Sequence, residues 1–200
     1  MLLFAHAGIP LGVAWLSCRA ISRARLRPSV VGNSAHCTTD DRSPARPWIT
    51  SLDYRFLLLG SILPDIIDKP LGTWLLRDAL GNSRAFGHTL LLTAVLMIAA
   101  LYLYARRRDL SLLSLSFGFV AHLCLDEMWL CPRTLLWPLH GWSFDKMDVG
   151  NWLEMVLTSL RTEPSIYVPE IIGGLLLGAF FFDLIRQGKL HRFLRSGVAH

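Results

Sequence analysis

Residues 89–105 read TLLLTAVLMIAALYLYA, and residues 110–130 read LSLLSLSFGFVAHLCLDEMWL. Neither stretch holds a Lys or Arg, and the first carboxylate in either is Asp126. A helix needs about 20 mostly apolar residues to span a bilayer. These two stretches therefore decide the class: they read as membrane-crossing helices. Three further apolar stretches flank them, at Leu2–Cys18, Phe56–Ile67 and Ile171–Ile185. The first is long enough to span and the last lies near the lower limit. The middle one is short and reads as re-entrant or buried between the others. The expected fold is all-α, a polytopic membrane bundle of about five apolar helices in a single domain over 1–200.

The composition agrees. Apolar residues make up 52% of the 200 residues and charged residues 18%. Mean hydropathy is +0.41. A typical soluble domain carries about 25% charge, so an ordinary charged soluble domain, a disordered chain and a collagen-like repeat are all poor fits. The net charge of +5 would hint at nucleic acid in a soluble protein. In a membrane protein it reports topology, so no nucleic-acid partner is expected. Cys18, Cys37, Cys124 and Cys131 form no CxxC pair. They read as small apolar fillers rather than as a zinc ribbon or a disulfide framework.

Alternating the five segments across the membrane sorts the basic residues. Fourteen fall on the side that holds the first connection (Arg19 to Arg55), Arg106–Arg108 and the tail from Arg186. The other side holds only Lys69, Arg77, Arg84, Arg133, Lys146 and Arg161. The positive-inside rule places the richer side in the cytoplasm. The expected protein is integral to a cell or inner membrane, with its N-terminus outside and its C-terminus inside. No Lys or Arg precedes the first helix, which argues against a cleaved secretory signal. Residues 22–50, rich in Arg, Ser, Pro and Thr, read as a flexible cytoplasmic loop, and 186–200 as a cytoplasmic tail. The stretch Asp148–Arg161 has apolar residues at helical spacing. With Trp137, Trp142 and Trp152 nearby, it suits an interfacial amphipathic helix on the outer face.

Ionisable groups inside apolar helices are costly and become functional hypotheses by default. Here they are His6, Asp65, Asp68, His88, His122, Asp126 and Glu127. His6 and His88 open their segments, while Asp65, Asp68, His122, Asp126 and Glu127 lie toward the far ends of theirs. Alternation brings all of them to one membrane face. The topology rests on Lys and Arg alone, so this convergence is an independent check. His122 and Asp126 are four apart and share one helix face. Pro64 is expected to bend or break the helix just before Asp65. Gly87 permits close approach of chain or ligand beside His88. Asp68 reads equally as a turn carboxylate paired with Lys69, and Glu127 as a group facing headgroups. Two or three His with two Asp fit a catalytic zinc or di-metal site better than a thiolate structural site. Nucleophile-elbow, phosphate-loop and dinucleotide motifs are missing from the sequence.

Four segments also carry a family resemblance: GSILPDIIDKPL at 60–71, RAFGHTLL at 84–91, HLCLD at 122–126 and LLWPL at 135–139. Together they resemble the YdjM-type membrane-bound metal-dependent hydrolases. That family is similar in motif order to zinc-dependent phospholipase C and the related single-strand nucleases. The resemblance runs from the first helix to about Phe144. It implies Asp65, His88, His122 and Asp126 as central ligands and His6 as an early one, around one to three divalent ions of zinc type. The N-terminal Trp ligand of the phospholipase-like enzymes is absent, since this chain opens Met-Leu-Leu. Their later His/Glu pair has no clear counterpart, although His140 with Glu154, or Asp145 and Asp148, are conceivable stand-ins.

The expected function is hydrolysis of a phosphoester, such as a phospholipid or lipid-linked phosphate, at the extracytoplasmic face. Asp65 is a ligand or the general base, and Arg84 neutralises phosphate charge or anchors at the interface. The bilayer and its lipids are the expected partners. The alternative is a metal or proton transporter, or a non-catalytic metal-binding scaffold. A transporter wants polar groups through the full bilayer depth, and Asp183, within reach of Arg186, is the one charge that favours such a path.

Overall fold

A computed structural model describes residues 3–25, 51–76, 82–145 and 152–197. Their regular structure is entirely helical. The long elements are α1 (Leu3–Arg25), α2 (Tyr54–Pro70), α3 (Leu90–Arg107) and α4 (Ser111–Leu125). They are followed by α5 (Trp152–Thr162), α6 (Pro164–Arg186) and α7 (Leu190–Ser196). Short helical turns fill the links at Leu71–Leu75, Phe86–His88, Met128–Leu130 and Pro132–Leu135. The five apolar segments and the stretch 152–162 all lie in helices. Of the Arg-rich loop, residues 26–50 lie outside the described residues, as do Arg77, Lys146 and Asp148.

Among the described residues two helices, α3 and α6, are long and apolar enough to cross a membrane; α1 and the 15-residue α4, both expected to span, are not among them. Only 11% and 22% of the apolar windows of α3 and α6 are buried inside the protein, whereas the core helix of a soluble protein would be mostly covered. Val95, Ile98, Leu175 and Phe182 stand more than half exposed along them. Such continuous apolar exposure is tolerated when lipid covers it. The fifth segment is longer than its apolar run, because Pro164 starts α6 at its first turn and a proline there costs the helix no hydrogen bond. The fourth is shorter, at 15 residues. Asp126 caps it, and Glu127 turns the chain with a left-handed φ of 51°.

The helices approach by small residues, as membrane helices do. A Cβ on Gly60 would lie 2.0 Å from the Leu115 carbonyl oxygen, and one on Gly118 2.3 Å from that of Leu57. These two glycines let the backbones of α2 and α4 touch. Gly8 and Gly173 do the same for α1 and α6. One apolar cluster joins Leu11, Tyr54, Leu57, Phe180, Leu184 and Phe193 from α1, α2, α6 and α7. A second, around Phe119, Leu123 and Met128, packs near the C-terminal end of α4.

Several expectations need correction. Pro64 does not break α2, which runs unbroken to Pro70. Proline removes one backbone bond and crowds the carbonyl four residues back, and α2 meets α4 before that turn at Gly60 and after it at Asp65, 3.9 Å from His122. The segment from Arg186 is not a plain tail. It forms α7, buries Phe193, and lets the Gly197 carbonyl accept from the Tyr54 N–H at 3.0 Å. Asp183 pairs with Arg19 at 2.9 Å rather than with Arg186. Cys18 is buried as a filler should be, but Cys124 and Cys131 are exposed, and Cys37 lies outside the described residues.

Candidate metal centre

The first turn of α1, the end of α2, the turn before α3 and the end of α4 meet at one end of the bundle. They bring together His6, Asp65, Asp68, His88, His122, Asp126 and Arg84. The three imidazoles are buried, as are Asp68 and Asp126. Asp65, Lys69 and Arg84 are more exposed and mark the open side.

Hydrogen bonds fix which ring atom faces inward. His88 Nδ1 lies 2.7 Å from Asp68 Oδ2, and His122 Nδ1 lies 2.7 Å from the Ser61 carbonyl oxygen. Both oxygens only accept, so both Nδ1 atoms donate. Each neutral ring then offers a bare Nε2, and the two Nε2 atoms stand 3.1 Å apart. Two lone pairs held that close call for a proton shared between the rings or a cation between or beside them. Carboxylate oxygens complete the surround. Asp126 Oδ2 lies 3.5 Å from His88 Nε2, and Asp126 Oδ1 lies 3.1 Å from His6 Nε2. Asp65 Oδ1 lies 3.8 Å from His88 Nε2 and 3.9 Å from His122 Nε2. Ligand atoms about 2.1 Å from a tetrahedral ion stand about 3.4 Å from each other, so these separations could accommodate one. Two groups could hold a metal ion, His6–His122–Asp126 and Asp65–His88–His122, and they share His122. Burial works against a charge on His88. The hydrogen bonds to Asp126 and Asp68 outweigh it and leave the His88 pKa raised.

Asp68 has a different job from Asp65. Its carboxylate accepts from the Ala85 and Gly87 N–H groups at 2.6 and 2.8 Å as well as from His88. It is fully buried and points its oxygens at the 85–88 turn rather than into the ligand cluster. This is the carboxylate–histidine arrangement that orients metal-binding imidazoles. Gly87 serves chain approach, since a Cβ there would lie 2.8 Å from the Pro64 oxygen and 3.2 Å from the Asp68 carboxyl carbon. Lys69, the expected partner of Asp68, pairs instead with Asp65 Oδ2 at 2.7 Å. The reason is helical spacing: residues four apart face each other and neighbours do not. Asp68→Asn is expected to weaken metal affinity about 10- to 100-fold, measured by competition with a chelating dye, because one amide hydrogen must then oppose a donor.

Arg84 meets the cluster directly, with Nε donating to Asp126 Oδ2 at 2.9 Å. One residue was invisible from sequence. Glu170 of α6 accepts from the Phe4 and Ala5 N–H groups at 2.9 and 3.3 Å, capping the first turn of α1 and so setting the position of His6. Those partners lie 166 and 165 residues away along the chain, and no local pattern announces such a contact. Glu170→Ala is expected to cost about 2 kcal/mol, read as a lower unfolding midpoint. His140 and Asp145 are exposed, and Asp145 pairs with Arg133 at 2.7 Å, apart from the cluster.

No curated protein and no solved structure matches this chain. One family model does match, over residues 1–188, a range that includes every residue of the cluster. On that match the chain belongs to the YdjM inner membrane protein family.

Proposed function

We propose that this protein is a membrane-bound, metal-dependent hydrolase of phosphoesters, acting on a phospholipid or lipid-linked phosphate at the extracytoplasmic face. The observation that carries the reading is the pair of Nε2 atoms 3.1 Å apart, each with its Nδ1 committed elsewhere. His88, His122, Asp65 and Asp126 would hold the metal, with His6 extending the set toward a second ion. The donor set of imidazole and carboxylate fits zinc-type ions and leaves room for catalysis, unlike a closed thiolate site. Such an ion, when bound, polarises a phosphoryl oxygen and brings a water toward neutral pKa. Asp65 offers Oδ1 to the imidazoles while Lys69 holds Oδ2, which supports a ligand role over that of a general base. Arg84, partly exposed beside Asp126, would meet phosphate charge.

The transport alternative finds less support. Asp183 is neutralised by Arg19. The Ser114 and Ser116 hydroxyls donate to the carbonyls of Leu110 and Leu112 in their own helix. The test is turnover of a phospholipid and lipid-phosphate panel by protein in nanodiscs loaded with zinc or manganese. Asp65→Asn should lower the rate about 100-fold or more. Bound metal without turnover of any panel member would leave the scaffold reading in its place.

A further inference from the structure

An apolar groove opens beside the metal centre. Its walls are the first turns of α3, at Leu90, Leu91 and Ala94, and the segment Leu135–Leu139. Its volume is about 380 Å³, within the roughly 300–1,000 Å³ of small-molecule sites, and its surface is carbon almost throughout. The groove begins where the cluster ends, since Leu90 follows His88 by two residues. Phe86 lies on the same helical turn as His88. Its ring packs edge-on against Trp137 at 5.4 Å, and Trp137 stacks on Phe144 at 5.7 Å. The same turn of chain gives His88 to the cluster and sets Phe86 behind the groove residue Trp137, and Arg84, two residues before Phe86, bonds Asp126 in the cluster.

The other end of the groove runs onto bilayer-type surface. Leu139 and Trp142 are 84% and 80% exposed. Beyond Ala94, α3 continues as the exposed face of Val95, Ile98 and Leu101 on a helix long enough to span. A carbon-lined groove, with one basic residue, Arg84, on the chain turn that backs it and an exposed apolar helix continuing from its other side, matches an amphiphile with an anionic head. We infer that this groove holds a hydrocarbon chain of a membrane phospholipid whose phosphate lies toward Arg84. The fate of the phosphate rests on the hydrolase reading above; the seating of the chain does not.

The test uses the full chain in nanodiscs with a trace of phosphatidic acid carrying a photoreactive diazirine on one acyl chain. Adducts are mapped by mass spectrometry. They are expected to concentrate at 90–94 and 135–139. Ala94→Trp and Leu91→Trp, each filling the groove from an exposed position, should lower them at least fivefold while labelling of α6 stays constant. A diacylglycerol probe with the same chain should label the groove at least threefold less. Even labelling of the α3 and α6 faces that neither variant changes would overturn the inference. So would equal labelling by the two probes, or a disulfide between two copies through Leu139→Cys. The two readings separate cleanly. Groove labelling without hydrolysis of any lipid removes the hydrolase and keeps the groove. Short-chain soluble phosphoesters cleaved with the same kcat/KM as long-chain lipids keep the hydrolase and remove the groove.

Discussion

Purified wild-type protein is expected to carry at least one zinc or manganese ion per chain, and the double variant His122→Ala/Asp126→Ala less than about a tenth of that. The magnitude follows from the geometry. His122 belongs to both candidate groups. Asp126 contacts His6 and His88 at 3.1 and 3.5 Å and anchors Arg84. Removing the two takes two ligands from one of those groups and one from the other. Metal-content mass spectrometry on detergent-purified protein decides it, with His191→Ala as control, because His191 is exposed on α7. Metal content unchanged in the double variant would sink the metal centre and the hydrolase with it.

The second large effect concerns the scaffold. Gly118→Val is expected to destabilise the protein by about 3 kcal/mol or more and to strip the metal as well. The new Cβ would lie 2.3 Å from the Leu57 oxygen and 2.7 Å from the Ser61 nitrogen. Both are backbone atoms with no side-chain freedom to retreat, so α2 and α4 must move apart. Ser61 is also the residue whose carbonyl fixes the His122 tautomer. Separation of the helices therefore disturbs stability and ligand orientation together. The control is Gly174→Ala in α6, where a Cβ meets nothing within 4 Å. It should gain up to about 1 kcal/mol from helix propensity alone. Equal unfolding midpoints for Gly118→Val and wild type would show that the close approach of α2 and α4 carries little of the stability.

Much of this was legible in the residues. Uncharged runs at 89–105 and 110–125 announce apolar helices, because a chain with no charge to solvate must bury itself or meet lipid. The meeting of His6, Asp65, His88, His122 and Asp126 was also legible. Successive helices that reverse direction bring the start of one beside the end of the last, so ligands at alternating ends must converge. The i, i+4 rule placed Asp126 one turn from His122 and would equally have paired Asp65 with Lys69.

Other features needed the packed molecule. The sequence could not say that Asp65 faces the imidazoles while Asp68 orients His88, because that depends on how far α2 is rotated against the turn at 85–88. Nor could it say which nitrogen of each ring faces the centre, since the Ser61 carbonyl and the Asp68 carboxylate decide it from neighbouring segments. Glu170 meets the first turn of α1 where Gly8 and Gly173 let α1 and α6 approach, and α7 is held back by Phe193 among α1, α2 and α6 and by the Tyr54–Gly197 bond. The sequence by itself determined the helices and the end at which their polar residues meet, both of which follow from local periodicity and chain reversal. Tertiary structure alone decided the rotation of each helix and the hydrogen-bond partner of each ring, because those are set by contacts between residues far apart in the chain.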